Sequence, residues 1–245
     1  LTRVVLAMGV VNLFAGGIFI AFGWRRRPLG AMQPATDDPN APVPALGLYA
    51  AVALLAGFAA MVFQTVLIRV AGLSLGSSNF TFSMVVAVFV LCIALGSFAV
   101  SALTRIPGWL IAATQWTLAL LMLSLYPRLN EGPFWAHLVR SWFRDVDAAF
   151  YPFYATVFAC MLAVLVVPIG LSGATLPLIF HHRKRLVGDL GAAAGRLYSW
   201  NTVGSLLGAL LGGYVLFFWL DLHAVFRVAC AALILGATLL TLQMP

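Results

Sequence analysis

Carboxylates are what this sequence has least of. Its 245 residues hold seven Asp and Glu, and charged side chains of both signs make up only 9%. None of the seven falls in the middle of a long apolar run; Asp221 stands between two runs and Asp189 in a short polar stretch. Proton- and sodium-coupled carriers generally need carboxylates at membrane depth, and so does a site for a polycation. Cysteine is nearly as sparse. Cys92, Cys160 and Cys230 each sit in a separate apolar run without CxxC spacing, which argues against a zinc site or a disulfide framework. His137, His181, His182 and His223 fall in loops or at run ends, so no pair faces across a membrane interior to hold a haem. There is no HExxH, no Walker loop and no Ser/His/Asp constellation. The chain taken alone is therefore expected to carry no catalytic residue, no cofactor and no metal.

What is abundant is apolar. With 63% hydrophobic residues and a mean hydropathy of +1.03, an ordinary soluble domain is excluded. A net charge of +7 would suggest nucleic acid in a soluble protein, but here the bases lie mainly in short loops between apolar runs. No nucleic-acid partner is expected. Seven runs emerge, at residues 4–24, 46–72, 77–103, 108–126, 151–180, 197–220 and 222–242. The expected fold is all-α and polytopic, with seven transmembrane helices in a 1+6 arrangement. The last six are arranged like one half of a major-facilitator transporter.

Residues 1–27 form the extra first helix, which is read as retained because Arg25, Arg26 and Arg27 follow the apolar run instead of preceding it as in a secretory signal. Residues 28–45 are a Pro-rich linker, and 46–245 the six-helix membrane domain. The chain opens at Leu1 with no initiator Met, so a domain absent here need not be absent from the gene product.

Between the fourth and fifth runs, Phe134, Leu138, Trp142 and Val146 recur every four residues, with Trp135, Val139 and Phe143 alongside and Arg140, Arg144, Asp145 and Asp147 opposite. This spacing predicts an amphipathic helix near 133–147, starting at Gly132-Pro133, that lies on the membrane surface or closes over a pocket as a lid. Loop charges orient the whole. Arg25, Arg26, Arg27, Arg105, Arg183, Lys184, Arg185 and Arg196 fall on one side, against Arg128, Arg140 and Arg144 on the other. Positive-inside bias then puts the amino terminus outside and the carboxyl terminus, with the linker, in the cytosol.

The stretch 195–223 organises the rest. Gly204, Gly208 and Gly212 recur at steps of four, with Ala209 and Gly213 beside them. On a helix they make a stripe without Cβ bulk, which in lipid lets a second backbone come close. Trp200 and Trp219 bracket it at nineteen residues, roughly 28 Å of helix against a hydrocarbon core of ~30 Å. In the preceding run, Pro168 and Pro177 with Gly170 and Gly173 predict a kink or a locally unwound turn.

Three segments taken in order, residues 57–97, GATLPLIF at 173–180 and GRLYSWNTVGSLLGALLGGYVLFFWLDL at 195–222, resemble the membrane region of bacterial fused major-facilitator/spermidine-synthase-like proteins. The likeness runs from about Leu46 to the end, and residues 1–44 lie outside it. It implies a multi-pass protein of the bacterial inner membrane. Such relatives pair their helices with a cytosolic aminopropyltransferase-like domain, which would use decarboxylated S-adenosylmethionine and a polyamine. This sequence has no Gly-rich strand-to-helix turn followed by an acid and no carboxylate cluster, so no catalytic residue carries over.

Polar residues within runs are the remaining candidates. Gln64, Arg69, Asn79 and Asn201 form a candidate polar membrane site, while each also has a structural reading. Arg69 would snorkel to the interface or cap a helix end, and Asn79, Asn201 and Thr202 would hydrogen-bond neighbouring helices. Gly204, Gly208, Gly212 and Gly213 are candidates for helix packing. The sequence leads to a non-catalytic scaffold, accessory subunit or anchor, whose partners are the lipid bilayer and other membrane subunits or a second copy. The alternative is a carrier of polyamines or other small organic solutes.

Overall fold

The computed structural model describes residues 9–10, 13–14, 16–18, 21, 46–103, 106–143, 149–183 and 190–242. Contacts divide the chain into two units, Leu1–Pro42 and Val43–Pro245. In the first, the described residues between 9 and 21 are helical. The triple arginine, Trp24, the whole linker 28–45, Arg105, residues 144–148 and residues 184–189 lie outside the described residues.

The second unit is all helical among its described residues. In order it contains α1 (Leu46–Leu75), α2 (Asn79–Ser101), α3 (Leu110–Leu125), a 3₁₀ turn (Tyr126–Glu131), α4 (Gly132–Ser141), α5 (Phe150–Arg183), α6 (Leu190–Leu210) and α7 (Leu222–Thr241). Among the described residues, six helical stretches are long and apolar enough to cross a membrane, all of them in this unit. The bundle therefore has two ends. One carries the start of α1 and the ends of α2, α5 and α7; the other carries α4.

Helix α1 is the hub, with α2, α4, α6 and α7 packed against it. Its Val62, Phe63 and Val66 are buried beside Phe89 of α2, Leu118 and Met122 of α3 and Phe226 of α7, whose ring lies 4.9 Å from that of Phe63. On the α6 side bulk disappears. A Cβ on Gly204 would collide with the carbonyl of Leu54, one on Gly208 with that of Phe58, and one on Gly212 would come within 2.8 Å of Val62 Cγ2. The contacts ascend together along both helices, so α1 and α6 run parallel. From the other side, Gly57 admits Asn201, whose Oδ1 would lie 2.8 Å from an added Cβ.

A second seam of the same kind joins α2 and α5. Gly96 abuts the backbone of Gly170, and a Cβ on Gly173 would come within 2.7 Å of Ile93 Cα. Helix α5 is continuous through Pro168 and Pro177, so no turn is unwound there. A proline at 177 cannot donate to the carbonyl four residues back. That carbonyl belongs to Gly173, and it accepts the Ser97 hydroxyl of α2 at 2.9 Å. The donor lost inside one helix is supplied by its neighbour, as hydroxyls do in membrane bundles.

The pairings obey an exchange. Swapping α1, α2, α3 with α5, α6, α7 turns the α1–α6 contact into α5–α2 and α1–α7 into α5–α3, and leaves α3–α7 unchanged. The swap relates helices of opposite direction.

Two boundaries differ from the sequence expectation. Helix α6 starts at Leu190, several residues before 197, and Ala192, Ala193 and Ala194 in that extension favour helix. Its far end leaves α-geometry at Leu211–Val215, a π-turn followed by a 3₁₀ turn at Leu216–Phe218. The link to α7 is short, and Asp221 caps it by accepting the Ala224 N–H at 2.7 Å.

The surface helix near 133–147 is described as Gly132–Ser141, with Pro133 in its first turn. It rests across the end of the bundle. Val139 is buried with Met84, Phe153 and Val157, while Gly132 abuts Ser74 and Val70 of α1. Phe134, Trp135 and Trp142 remain exposed, the interfacial placement that aromatic rings favour.

Candidate functional site

Arg69 lies in the last turns of α1, level with the π-turn of α6. Its Nη2 donates to the Gly213 carbonyl at 2.9 Å, and its Cζ sits 3.8 Å from the centroid of the Phe217 ring. The carbonyls at a helix end carry partial negative charge and lack internal donors. A guanidinium meets both needs, and stacking on an aromatic face adds a cation–π attraction. Arg69 thus clasps the end of the neighbouring helix, neither capping its own nor standing alone in lipid. The structure brings together two residues that the sequence places in different roles, since Gly213 contributes its carbonyl here and a Cβ on it would meet nothing within 4 Å.

The other candidates do not converge on Arg69. Gln64 is half-buried on α1 and has no hydrogen-bond partner among the described residues. Asn79 is exposed in the first turn of α2, next to Ser78, whose Oγ accepts the Thr81 N–H at 3.0 Å. Asn201 lies in the α1–α6 seam, toward the opposite end. No hydrogen bond links any two of Gln64, Arg69, Asn79 and Asn201 among the described residues.

The most buried polar contact is one the sequence reading passed over. Gln115 of α3 and Thr175 of α5 are each 1% exposed, and Gln115 Nε2 donates to Thr175 Oγ1 at 2.7 Å. Thr175 in turn donates to the Leu171 carbonyl at 3.2 Å. A lone amide inside the run 108–126 is the signal that would have found it, on the grounds that singled out Gln64. Arg227 was also passed over. It is exposed on α7 six positions after Asp221. At the surface-helix end, His223 Nε2 and Asn130 Oδ1 lie 2.7 Å apart, tying α7 to the 3₁₀ turn.

Two open clefts lie at the end away from α4. One of about 440 Å³ is bounded by Val100, Ser101, Pro177, His181 and Tyr198. The other, about 490 Å³, lies between the start of α1, the start of α6 and the end of α7, with Arg196 and Trp200 on its rim. Their chemistry is that of surfaces facing lipid and its interface. Comparison of the chain with protein-family models, with curated proteins and with solved structures finds no match.

Proposed function

We propose that this chain is a non-catalytic membrane module, a scaffold, accessory subunit or anchor that packs against other membrane subunits or a second copy of itself. The observation that carries the reading is where the polar groups within the spans are used. Gln115 engages Thr175, Ser97 engages Gly173 and Arg69 engages Gly213, all across helix–helix seams. A carrier instead turns such groups toward a path for its solute. The same reading takes the protein as an inner-membrane protein with cytosolic carboxyl terminus. It takes the first apolar run as a seventh span available for contact with a neighbour.

One observation favours the second reading, a carrier of polyamines or other organic solutes akin to the membrane part of spermidine-synthase-like fusions. The exchange of α1–α3 with α5–α7 relates helices of opposite direction, the pattern of the inverted three-helix repeats nested in a major-facilitator half. Reconstitution of the purified chain into liposomes with labelled spermidine separates the two. The scaffold reading expects no saturable uptake, together with stoichiometric partners or a homo-oligomer in mild detergent. Saturable uptake that disappears in Gln64→Ala or Arg69→Ala would refute it and establish the carrier.

A further inference from the structure

The cleft between α1, α6 and α7 is apolar along its length and basic at its rim. On α1 its lining is small at Gly47, Ala50 and Ala51 and turns to Leu54 and Leu55 further into the span, opposite Leu197, Leu235 and Leu239 of the neighbouring helices. Arg196 and Trp200 stand four residues apart on α6, hence on one face of it, and both are exposed. Arg196 has no ion pair or hydrogen bond among the described residues, so its charge has no counterpart in the described part of this bundle. Helix α6 is also the least covered span. Only 17% of its apolar window is buried, against 33% to 50% in the other five. The cleft opens where these helices would meet lipid.

We infer that this groove binds one anionic phospholipid, with an acyl chain along the α1–α7 walls and the phosphate held by Arg196 beside Trp200. The two halves of the groove each exclude a simpler occupant. A free anion would gain nothing from the apolar walls of a cleft of about 490 Å³, an uncharged lipid would leave the guanidinium unanswered, and a zwitterionic one sets its own cation against its phosphate. An amphiphile with a negative head answers both, and basic pockets between membrane helices take anionic headgroups in this way. An indole at the same level suits the headgroup boundary, where its apolar ring and N–H meet different surroundings.

The test uses the full chain, purified in mild detergent and stripped of lipid. Its unfolding temperature is followed while phosphatidylglycerol, phosphatidylcholine with the same acyl chains, or inorganic phosphate is added. Phosphatidylglycerol is expected to stabilise saturably, at concentrations about fivefold lower than phosphatidylcholine, with inorganic phosphate inert. Arg196→Gln should erase that preference, whereas Arg227→Gln, at the other end of the bundle, should keep it. Filling the groove with Ala51→Phe should remove stabilisation by both lipids. Should that variant fail to fold, native mass spectrometry of the wild-type chain and Arg196→Gln decides, with one retained phosphatidylglycerol expected in the first and none in the second. Equal effects of the two lipids, a preference that survives Arg196→Gln, or stabilisation by phosphate alone would each overturn the assignment.

Discussion

A single methyl group is the finest probe of the α1–α6 seam, because two glycines nearly adjacent in sequence should answer it with opposite signs. At Gly208 a Cβ would run into the Phe58 carbonyl and lie 3.0 Å from Met61 Cβ. At Gly213 it would enter open space. Gly208→Ala is therefore expected to destabilise by ~1–3 kcal/mol, the usual cost of overpacking, and Gly208→Leu by more. Gly213→Ala should be neutral or slightly stabilising, since alanine costs the chain less entropy in a helical turn. Thermal unfolding in one detergent measures both. A Gly208→Leu protein with unchanged yield and stability would place the stripe against lipid and remove the seam. The three spaced glycines were legible because their period matches a helix face. Gly213 was not separable from them by type alone: whether a glycine makes room or offers its carbonyl is decided by where Arg69 reaches.

At the scale of elements, the α2–α5 pair shows how a proline inside a span is accommodated. Pro177 leaves the Gly173 carbonyl without a donor in its own helix, and Ser97 provides one from the next. Ser97→Ala is expected to cost ~0.5–1.5 kcal/mol, as the loss of the donor to a half-buried carbonyl does. In a Pro177→Ala background, where residue 177 regains its N–H, the same change should cost almost nothing. A double-mutant cycle on unfolding free energy reads the difference, and equal costs in both backgrounds would show that Ser97 does not substitute for the missing donor. The sequence reading allows a kink or an unwound turn at these prolines, and the helix runs on without the unwound turn. The repair comes from a residue some eighty positions earlier, and nothing local announces it. The π-turn of α6 was hidden for a related reason. The group that meets it, Arg69, comes from another helix, whereas the caps at Ser78 and Asp221 depend on neighbours three residues away.

For the whole molecule, orientation in the membrane ties the fold to its use. The bundle has one end closed by α4, with exposed Phe134, Trp135 and Trp142, and another carrying both clefts and the start of α6. In the proposed orientation, the sequence's eight loop bases against three in the loop that holds α4 would set the clefts toward the cytosol by positive-inside bias. That is also the side on which an anionic leaflet would face Arg196. Cysteine labelling tests it with little interference, because Cys92 and Cys230 are buried and Cys160 lies within the span of α5. A cysteine replacing Ser141, exposed at the end of α4, should react with an impermeant maleimide added to intact cells. A cysteine replacing Gly188, in the loop between α5 and α6, should react only after the membrane is opened. Strong external labelling at Gly188, with Ser141 silent, would invert the protein. The groove would then face the outer leaflet, and both the positive-inside argument and the cytosolic setting of the carboxyl terminus would fall together.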